Sequence, residues 1–524
     1  MSKIKVLVCD NISQEGLRPL KEDAQFELHE KGKLSETELL EIISEYEGIL
    51  LRSGTKITKK IIEKADKLKI IGRAGVGIDN IDLKSATEKG ILVINAPSGN
   101  TIAACEHTIA LIFALARKIP EAHSSMKEGK WEKKKFVGIE LAGKTAGIIG
   151  LGKIGFEVAK RLKSFGMKIS VYDPYVDEKI LNEYGFEKVE LDELLKKSDV
   201  ITIHVPKTKD TINLLNYDNM KMMKKTAFLI NCARGGIVNE KDLVRVLKEE
   251  KIAGAAVDVF EKEPLENEEL RNAPNIILTP HLGASTVEAQ EKVAMSVAED
   301  LKKFFSGTIP PSSCNFIYPK DTTAEYRDYL ALSEYLGSFL SQITDDFNRI
   351  KITYGGEISN WQTHPLKAGV LKGIFKNILD ENVNLINAPE IAKKRDILCE
   401  DFENPHMEVY SKYIEIATKK FSLKGTIIAK KPHLVEFNEY EVDIVLDGII
   451  LLFKNRDVPG VIGRVGTILG EAKINVASMD VARKEKGKSA FTILKLDQKP
   501  TPSLLKNIAK LDVISDVKLA ILRP

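Results

Sequence analysis

Apolar runs and segments of helical period take turns along the first part of the chain. The runs at 5–9, 48–51, 69–72 and 92–95 are separated by stretches whose apolar residues recur every three to four positions. This pattern predicts strands joined by helices. Parallel strands need a crossover to be connected, so the alternation predicts a parallel sheet with helices on its faces. A long helix is predicted over 101–116, and then the alternation resumes. Strands are predicted at 145–149, 168–172, 200–204, 227–231, 254–257 and 276–278, and a second long helix over 286–305. Gly307 and the Pro310-Pro311 pair close this region.

Beyond it the pattern loosens. A helix is predicted over 326–343, with strands at 350–354, 426–429 and 433–437, and no catalytic signature appears between 312 and 447. The last block regains order. It reads strand 449–453, helix 461–471, strands 476–483 and 489–496, helix 503–510 and strand 517–522. That is the β-α-β-β-α-β order of small ferredoxin-like modules.

Composition narrows the function. At 524 residues the chain is long enough for three or four domains. Lys+Arg is 78 and Asp+Glu 75, a net charge of only +3 with the signs interleaved. This argues against a nucleic-acid partner. No apolar run reaches the length of a membrane span, and the first residues lack a signal-peptide pattern, so a cytoplasmic protein without membrane contact is expected. Cys9, Cys105, Cys232, Cys314 and Cys399 are scattered without CxxC pairs, and the eight histidines show no ligand spacing. Reduced thiols and no metal site are expected.

The strand predicted at 145–149 runs into Gly150-Leu151-Gly152-Lys153-Ile154-Gly155, a GxGxxG loop before a helix. Gly150 suits a tight turn, Gly152 a close backbone approach to a pyrophosphate, and Gly155 close packing of helix on strand. The N-terminus of the helix attracts phosphate. Asp173 follows the next strand, 23 residues after Gly150. A carboxylate there accepts ribose hydroxyls and repels a 2′-phosphate, which favours NAD over NADP.

Three charged residues follow at predicted strand ends: Arg234, Glu263 and His281. Oxidising a secondary alcohol needs a base for the hydroxyl proton, and imidazole titrates in the useful range. A neighbouring carboxylate would hold the ring, and a guanidinium would grip a substrate carboxylate. Each residue alone has an ordinary reading as a loop residue, a solvated acid or a surface ion pair. The combination carries the weight.

The segments GRAGVGIDNID (72–82), NAPSGNT (95–101), GLGKIG (150–155), NCARGGIVNE (231–240), VDVFEKEP (257–264) and TPHLGAS (279–285) resemble the D-isomer-specific 2-hydroxyacid dehydrogenase family. The resemblance spans roughly residues 3–310. It implies an α/β fold with a Rossmann-type doubly wound nucleotide domain, 99–282, inserted in a flavodoxin-like substrate domain formed by 1–98 and 283–310. It assigns His281 as acid/base, Glu263 as its partner and Arg234 to substrate orientation. At the cofactor it places Val76, Gly150, Gly152, Lys153, Ile154, Gly155, Asp173, Val205, Cys232, Ala233, Arg234, Asp258, His281, Gly283 and Ala284.

Arg52, Ser53, Arg73, Gly75 and Asn100 resemble the substrate positions of the branch acting on 3-phosphoglycerate, the first step toward L-serine. Lys133 in KWEKKKF (130–136) stands where a basic residue can reach a neighbouring subunit's site. YLGSFLSQI, ITYGGEIS, LKGIF and VNLINAPEIA resemble the α+β intervening domain of long members, here 311–447. Residues 455–490 resemble an ACT regulatory domain, placed at 448–524, where Asp457 and Asn475 match positions that bind a serine effector. A homodimer or homotetramer is implied. The alternatives are another 2-hydroxy acid, such as glycerate, lactate or formate, or an NAD-sensing corepressor-like protein.

Overall fold

The computed structural model describes residues 3–319, 322–406 and 409–522. Four sheets organise the chain. The first is parallel, with β1 (Ile4–Val8), β2 (Phe26–Glu30), β3 (Gly48–Leu51), β4 (Ile70–Arg73) and β5 (Leu92–Asn95) in the order β2-β1-β3-β4-β5. This is the flavodoxin-like order. The pattern predicts four of these strands and misses β2. Its sequence, FELHE, is half-exposed at the sheet edge and pairs only with β1, so it lacks an apolar run.

The second sheet is also parallel. It contains β6 (Thr145–Ile149), β7 (Lys168–Tyr172), β8 (Glu187–Lys188), β9 (Val200–Ile203), β10 (Phe228–Asn231), β11 (Gly254–Val257) and β12 (Ile276–Leu278), ordered β12-β11-β10-β9-β6-β7-β8. The order reverses at β6, so β6 and β9 diverge into helices on opposite faces and leave a crevice at their carboxyl ends. The helix Thr101–Arg117 packs on this sheet beside the helix Lys153–Ser164.

The helix Val287–Phe305 returns to the first sheet. Its Val293, Ala294, Val297 and Leu301 are buried with Val6, Leu50 and Ile70. The chain therefore passes between the two sheets twice, once before Thr101 and once after β12.

The third sheet is mixed: β13 (Arg349–Gly356), β14 (Leu398–Asn404), β15 (Lys412–Ala417), β16 (Ser422–Ile428), β17 (Lys431–Phe437) and β18 (Tyr440–Val445), ordered β14-β13-β15-β16-β17-β18. The sequence predicts only β13, β16 and β17 of these. β14 is mostly exposed and β18 alternates weakly. The helices Ala324–Ile343 and His364–Lys376 cover one face.

The last sheet, β19 (Gly448–Arg456), β20 (Val476–Arg483), β21 (Ser489–Leu496) and β22 (Ile514–Leu522), is antiparallel in the order β20-β21-β19-β22. It shares a core with the third sheet, since Leu332, Leu336 and Ile343 pack with Ile450, Leu452, Phe491 and Leu522. The third sheet's unit also grips the first, where Asn384 Nδ2 donates to Gly90 O (2.7 Å) and Lys394 pairs with Glu88 (3.0 Å).

Candidate active site

The glycine loop forms as its sequence requires. Gly150 has φ +90°, and a Cβ there would stand 2.6 Å from Val205 Cγ1 and 2.9 Å from His204 O. A Cβ on Gly155 would be 2.1 Å from Gly150 O, whereas one on Gly152 would meet nothing within 4 Å. Two glycines are thus excluded from substitution by the protein itself. The third faces open space, as a backbone that must approach a ligand should. The helix Lys153–Ser164 starts at this loop, with Gly152 as its N-cap and no side-chain cap. Its first N–H groups remain for an anion. Lys153 Nζ reaches Ser98 Oγ across the cleft.

Asp173 Oδ2 accepts from Leu151 N (2.8 Å) and Oδ1 from Tyr175 N (2.8 Å). The acid therefore fixes the loop while each oxygen keeps a second lone pair. Val205 and Ala233 line the same side, half-buried. Cys232 is held inert, its thiol pushed up to about 12 by burial and by Asp258.

His281 and Glu263 meet. Nδ1 stands 2.8 Å from Glu263 Oε2, with both side chains about two-fifths exposed (42% and 38%). Glu263 Oε1 accepts from Phe260 N (3.1 Å). Burial pushes this carboxyl upward, but the bond to His281 and its charge outweigh that and leave the pKa below the usual value. A carboxylate only accepts, so Nδ1 carries the proton and Nε2 of the neutral ring is left with a free lone pair. His281 has φ +56°, a left-handed turn that a non-glycine residue adopts only when its surroundings enforce it.

Asp258 enforces that turn. It is fully buried and accepts from Thr279 Oγ1 (2.6 Å), Leu282 N (2.7 Å) and Gly283 N (2.9 Å), bracketing His281. Burial favours its neutral form, but hydrogen bonds from His107, Thr279 and Leu282 N win and hold its pKa below the ordinary value. A depressed pKa contributes stability that is fully present above the unfolded value, about 3.9, and is lost as pH falls through the lower folded value. Asp258→Asn should therefore weaken the fold at pH 7 by on the order of 1–3 kcal/mol in urea unfolding. The gap should narrow below about pH 4.

Three cations, Arg73, Arg234 and Arg52, gather around one another. Arg234 Nε pairs with Asp79 Oδ2 (3.2 Å), and its Nη1 donates to Ala233 O (2.7 Å). Arg73 is largely buried. Desolvation, with Arg234 and Arg52 nearby, drops its pKa to about 10. Its Nε and the Oδ1 of Asn100 are two of three buried side-chain atoms without a hydrogen-bond partner among the described residues. A Cβ on Gly75 would fall 1.6 Å from Arg73 Nη1, so a larger residue there would displace the Arg73 guanidinium. Asp10 Oδ2 takes the backbone N–H of Arg52 (2.9 Å), and Arg52 Nη1 reaches Gln290 Oε1 (3.4 Å). Ser53 is exposed on the same turn, and Val76 O accepts from Asn95 Nδ2 (2.5 Å) in the facing loop. Ala284 follows the Asp258-bound turn.

Sequence reasoning does not find Asp79, Asp10, His107 or Thr279, because an isolated polar residue in a loop carries no periodic signal. Lys133 lies on an exposed turn, Lys133–Phe136. Among the described residues no hydrogen bond or ion pair ties it to this cluster.

At the C-terminal sheet, Asp457 Oδ2 accepts from Arg483 Nη1 (3.0 Å) and Gly487 N (2.9 Å). Asn475 Nδ2 donates to Asp497 Oδ2 (2.7 Å). The eight residues of β20 separate these two places, about 25 Å at strand rise. One chain does not bring them together. Neither caps a helix, the following helix having Gly460 at its N-cap.

A strand–glycine loop–helix at a sheet's switch point, together with a carboxylate-backed imidazole and clustered guanidiniums, defines a nicotinamide-dependent dehydrogenase of 2-hydroxy acids. The NAD-binding domain of D-isomer-specific 2-hydroxyacid dehydrogenases matches residues 109–283. The D-3-phosphoglycerate dehydrogenase intervening domain matches 325–438, and the ACT domain 449–513. The D-3-phosphoglycerate dehydrogenase of Methanocaldococcus jannaschii is 43% identical over 98% of this chain and 99% of its own length. That of Bacillus subtilis is 40% identical over 98% and 99%. Among solved structures, the formate dehydrogenase of Staphylococcus aureus in complex with NAD aligns with TM-score 0.54 and 32% identity, over 59% of this chain and 98% of that one. The chain belongs to the D-3-phosphoglycerate dehydrogenase family, and its cofactor is NAD.

Proposed function

We propose that this chain oxidises 3-phospho-D-glycerate to 3-phosphohydroxypyruvate with NAD, opening the phosphorylated route to L-serine. The observation that supports the reading is the gathering of Arg52, Arg73 and Arg234 around one another, taken together with the His281–Glu263 pair. A substrate with a carboxylate and a phosphate at opposite ends of three carbons needs that much positive charge, and a simple hydroxy acid needs only one guanidinium.

Arg234 grips the carboxylate in competition with Asp79, which is exposed enough to swing aside. Arg52 and Arg73, with Ser53, Gly75 and Asn100, hold the phosphate end. Lys133 adds charge from a neighbouring copy. His281 Nε2 takes the proton of the C2 hydroxyl, and Glu263 stabilises the imidazolium through Nδ1. The chemistry that bound NAD would supply is a hydride acceptor for C2. Gly150, Gly152, Gly155 and the first turn after Lys153 would hold the pyrophosphate of NAD, Asp173 its ribose, and Asp258 with the 282–284 backbone its nicotinamide end.

The C-terminal domain binds an amino acid, for which we propose L-serine. Asp457 of one copy would meet Asn475 of another, because a two-fold placed beside the sheet turns one end onto the other. A homodimer or homotetramer follows.

The test follows NADH consumption with phosphohydroxypyruvate, pyruvate and glyoxylate, with and without L-serine. Turnover on the phosphorylated acid, slowed by serine, is expected. Turnover on the unphosphorylated acids alone would move the chain to a different substrate. Arg52→Ala and Arg73→Ala would then leave KM nearly unchanged instead of raising it about 10-fold or more. Absence of turnover on every 2-oxo acid would favour an NAD-sensing role.

A further inference from the structure

The helix Thr101–Arg117 carries a histidine that the mechanism above does not use. His107 lies seven residues, close to two turns, after Asn100 and so shares its side of the helix. Its side chain is only 19% exposed, with Nε2 3.2 Å from Thr279 Oγ1 and 3.2 Å from Asp258 Oδ1. Thr279 gives its one hydroxyl proton to Asp258 Oδ1 (2.6 Å), so toward His107 it can only accept. Nε2 is therefore the protonated ring nitrogen. Asp258 spends its remaining capacity on Leu282 N and Gly283 N, the two amides that follow His281.

The location gives this network a purpose. The chain crosses between the first two sheets just before Thr101 and again through Thr279–Val287. His107 stands on the helix that begins at the first crossing and bonds to the first residue of the second. It thereby fixes one crossing against the other. The strained turn at His281 hangs from that link, since among the described residues Asp258 is the side chain that bonds to the 281–283 backbone.

We propose that His107 is a positioning residue, which as an Nε2–H donor sets Thr279 and Asp258 and through them the placement of the His281 imidazole. The proposal rests on the acid–base role given to His281. Misplacing a catalytic group by about 1 Å can cost about 100-fold in rate, which is the scale on which the link should be felt.

Three variants of the full chain test it: His107→Leu, His107→Gln and Thr279→Val. His107→Leu should lower kcat by about 10- to 100-fold and hold KM for 3-phosphoglycerate within about threefold. The deuterium isotope effect on kcat with C2-deuterated substrate should rise, because cleavage of that bond becomes slowest. Glutamine can donate from nearly the same place and should recover most of the rate. Thr279→Val leaves His107 in place but removes both its acceptor and the hydroxyl bound to Asp258, breaking the link at its middle, so it should repeat the leucine result even if His107→Leu fails to fold. Without cofactor, amide exchange in the 279–285 segment should speed up in both damaged variants and not in His107→Gln. Wild-type kcat, isotope effect and exchange in His107→Leu or Thr279→Val would overturn the proposal. So would a kcat loss that glutamine does not relieve and that leaves the isotope effect unchanged. If His281→Asn retained full turnover, the acid–base reading itself would fall, and this one with it. An inactive His281→Asn beside an unaffected His107→Leu would remove this proposal alone.

Discussion

Asparagine at position 281 should lower kcat by about 10²–10⁴-fold, the usual worth of a placed general base, with affinity for NAD kept within a few-fold. Asparagine is the informative replacement because it tolerates the left-handed backbone that His281 adopts, φ +56°. The turn and its bonds to Asp258 then survive, and the loss reports proton transfer rather than a collapsed loop. Glu263→Gln should cost less, since a side-chain oxygen still faces Nδ1 while the compensating charge is gone. The double variant should be little worse than His281→Asn alone, because the two residues act as one unit. Steady-state kinetics with 3-phosphoglycerate, alongside NAD titration by fluorescence, decide this. A His281→Asn chain within tenfold of the wild-type kcat would remove the imidazole from the chemistry.

Lysine at position 234 should reduce kcat/KM by on the order of 10²–10³-fold. The charge is conserved and the fork is lost. Arg234 already commits Nη1 to Ala233 O and Nε to Asp79. Once Asp79 is displaced, it can turn its Nε–Nη2 edge toward a substrate carboxylate while Nη1 stays anchored to the backbone. An ammonium has no such second arm and pivots on a flexible stem. Most of the loss should appear in KM for the acid if Arg234 only binds, and in both constants if it also polarises the reacting carbon. Asp79→Asn should move the opposite way in KM, because the competing carboxylate is removed. A kcat/KM within fivefold of wild type for Arg234→Lys would refute the bidentate role.

The nucleotide loop and the buried strands of the two parallel sheets were legible because each leaves a local mark, while the layout of the sheets was implied by the family resemblance. Glycines occur where a Cβ would strike Val205 or Gly150 O, and apolar runs occur where a strand is buried on both faces. The missed strands β2, β8, β14 and β18 lie at sheet edges, where one face is polar without cost, whereas the missed β15 is internal and mostly buried, and its KYIEIA interleaves charged and apolar residues over too short a run to stand out.

Sequence by itself determined which chemistry this chain can do, since an imidazole, a carboxylate and guanidiniums after parallel strands admit few reactions. Only the tertiary structure decided how that chemistry is held. Asp258 clamps the turn of His281, His107 reaches it from a helix more than 170 residues earlier (|i−j| = 172 to Thr279), and Asp79 occupies Arg234. It also decided that Asp457 and Asn475 lie at opposite ends of one sheet. The physical reason is range. Propensity and periodicity act over a few residues, whereas hydrogen bonds between distant loops form only once packing has brought the backbone together.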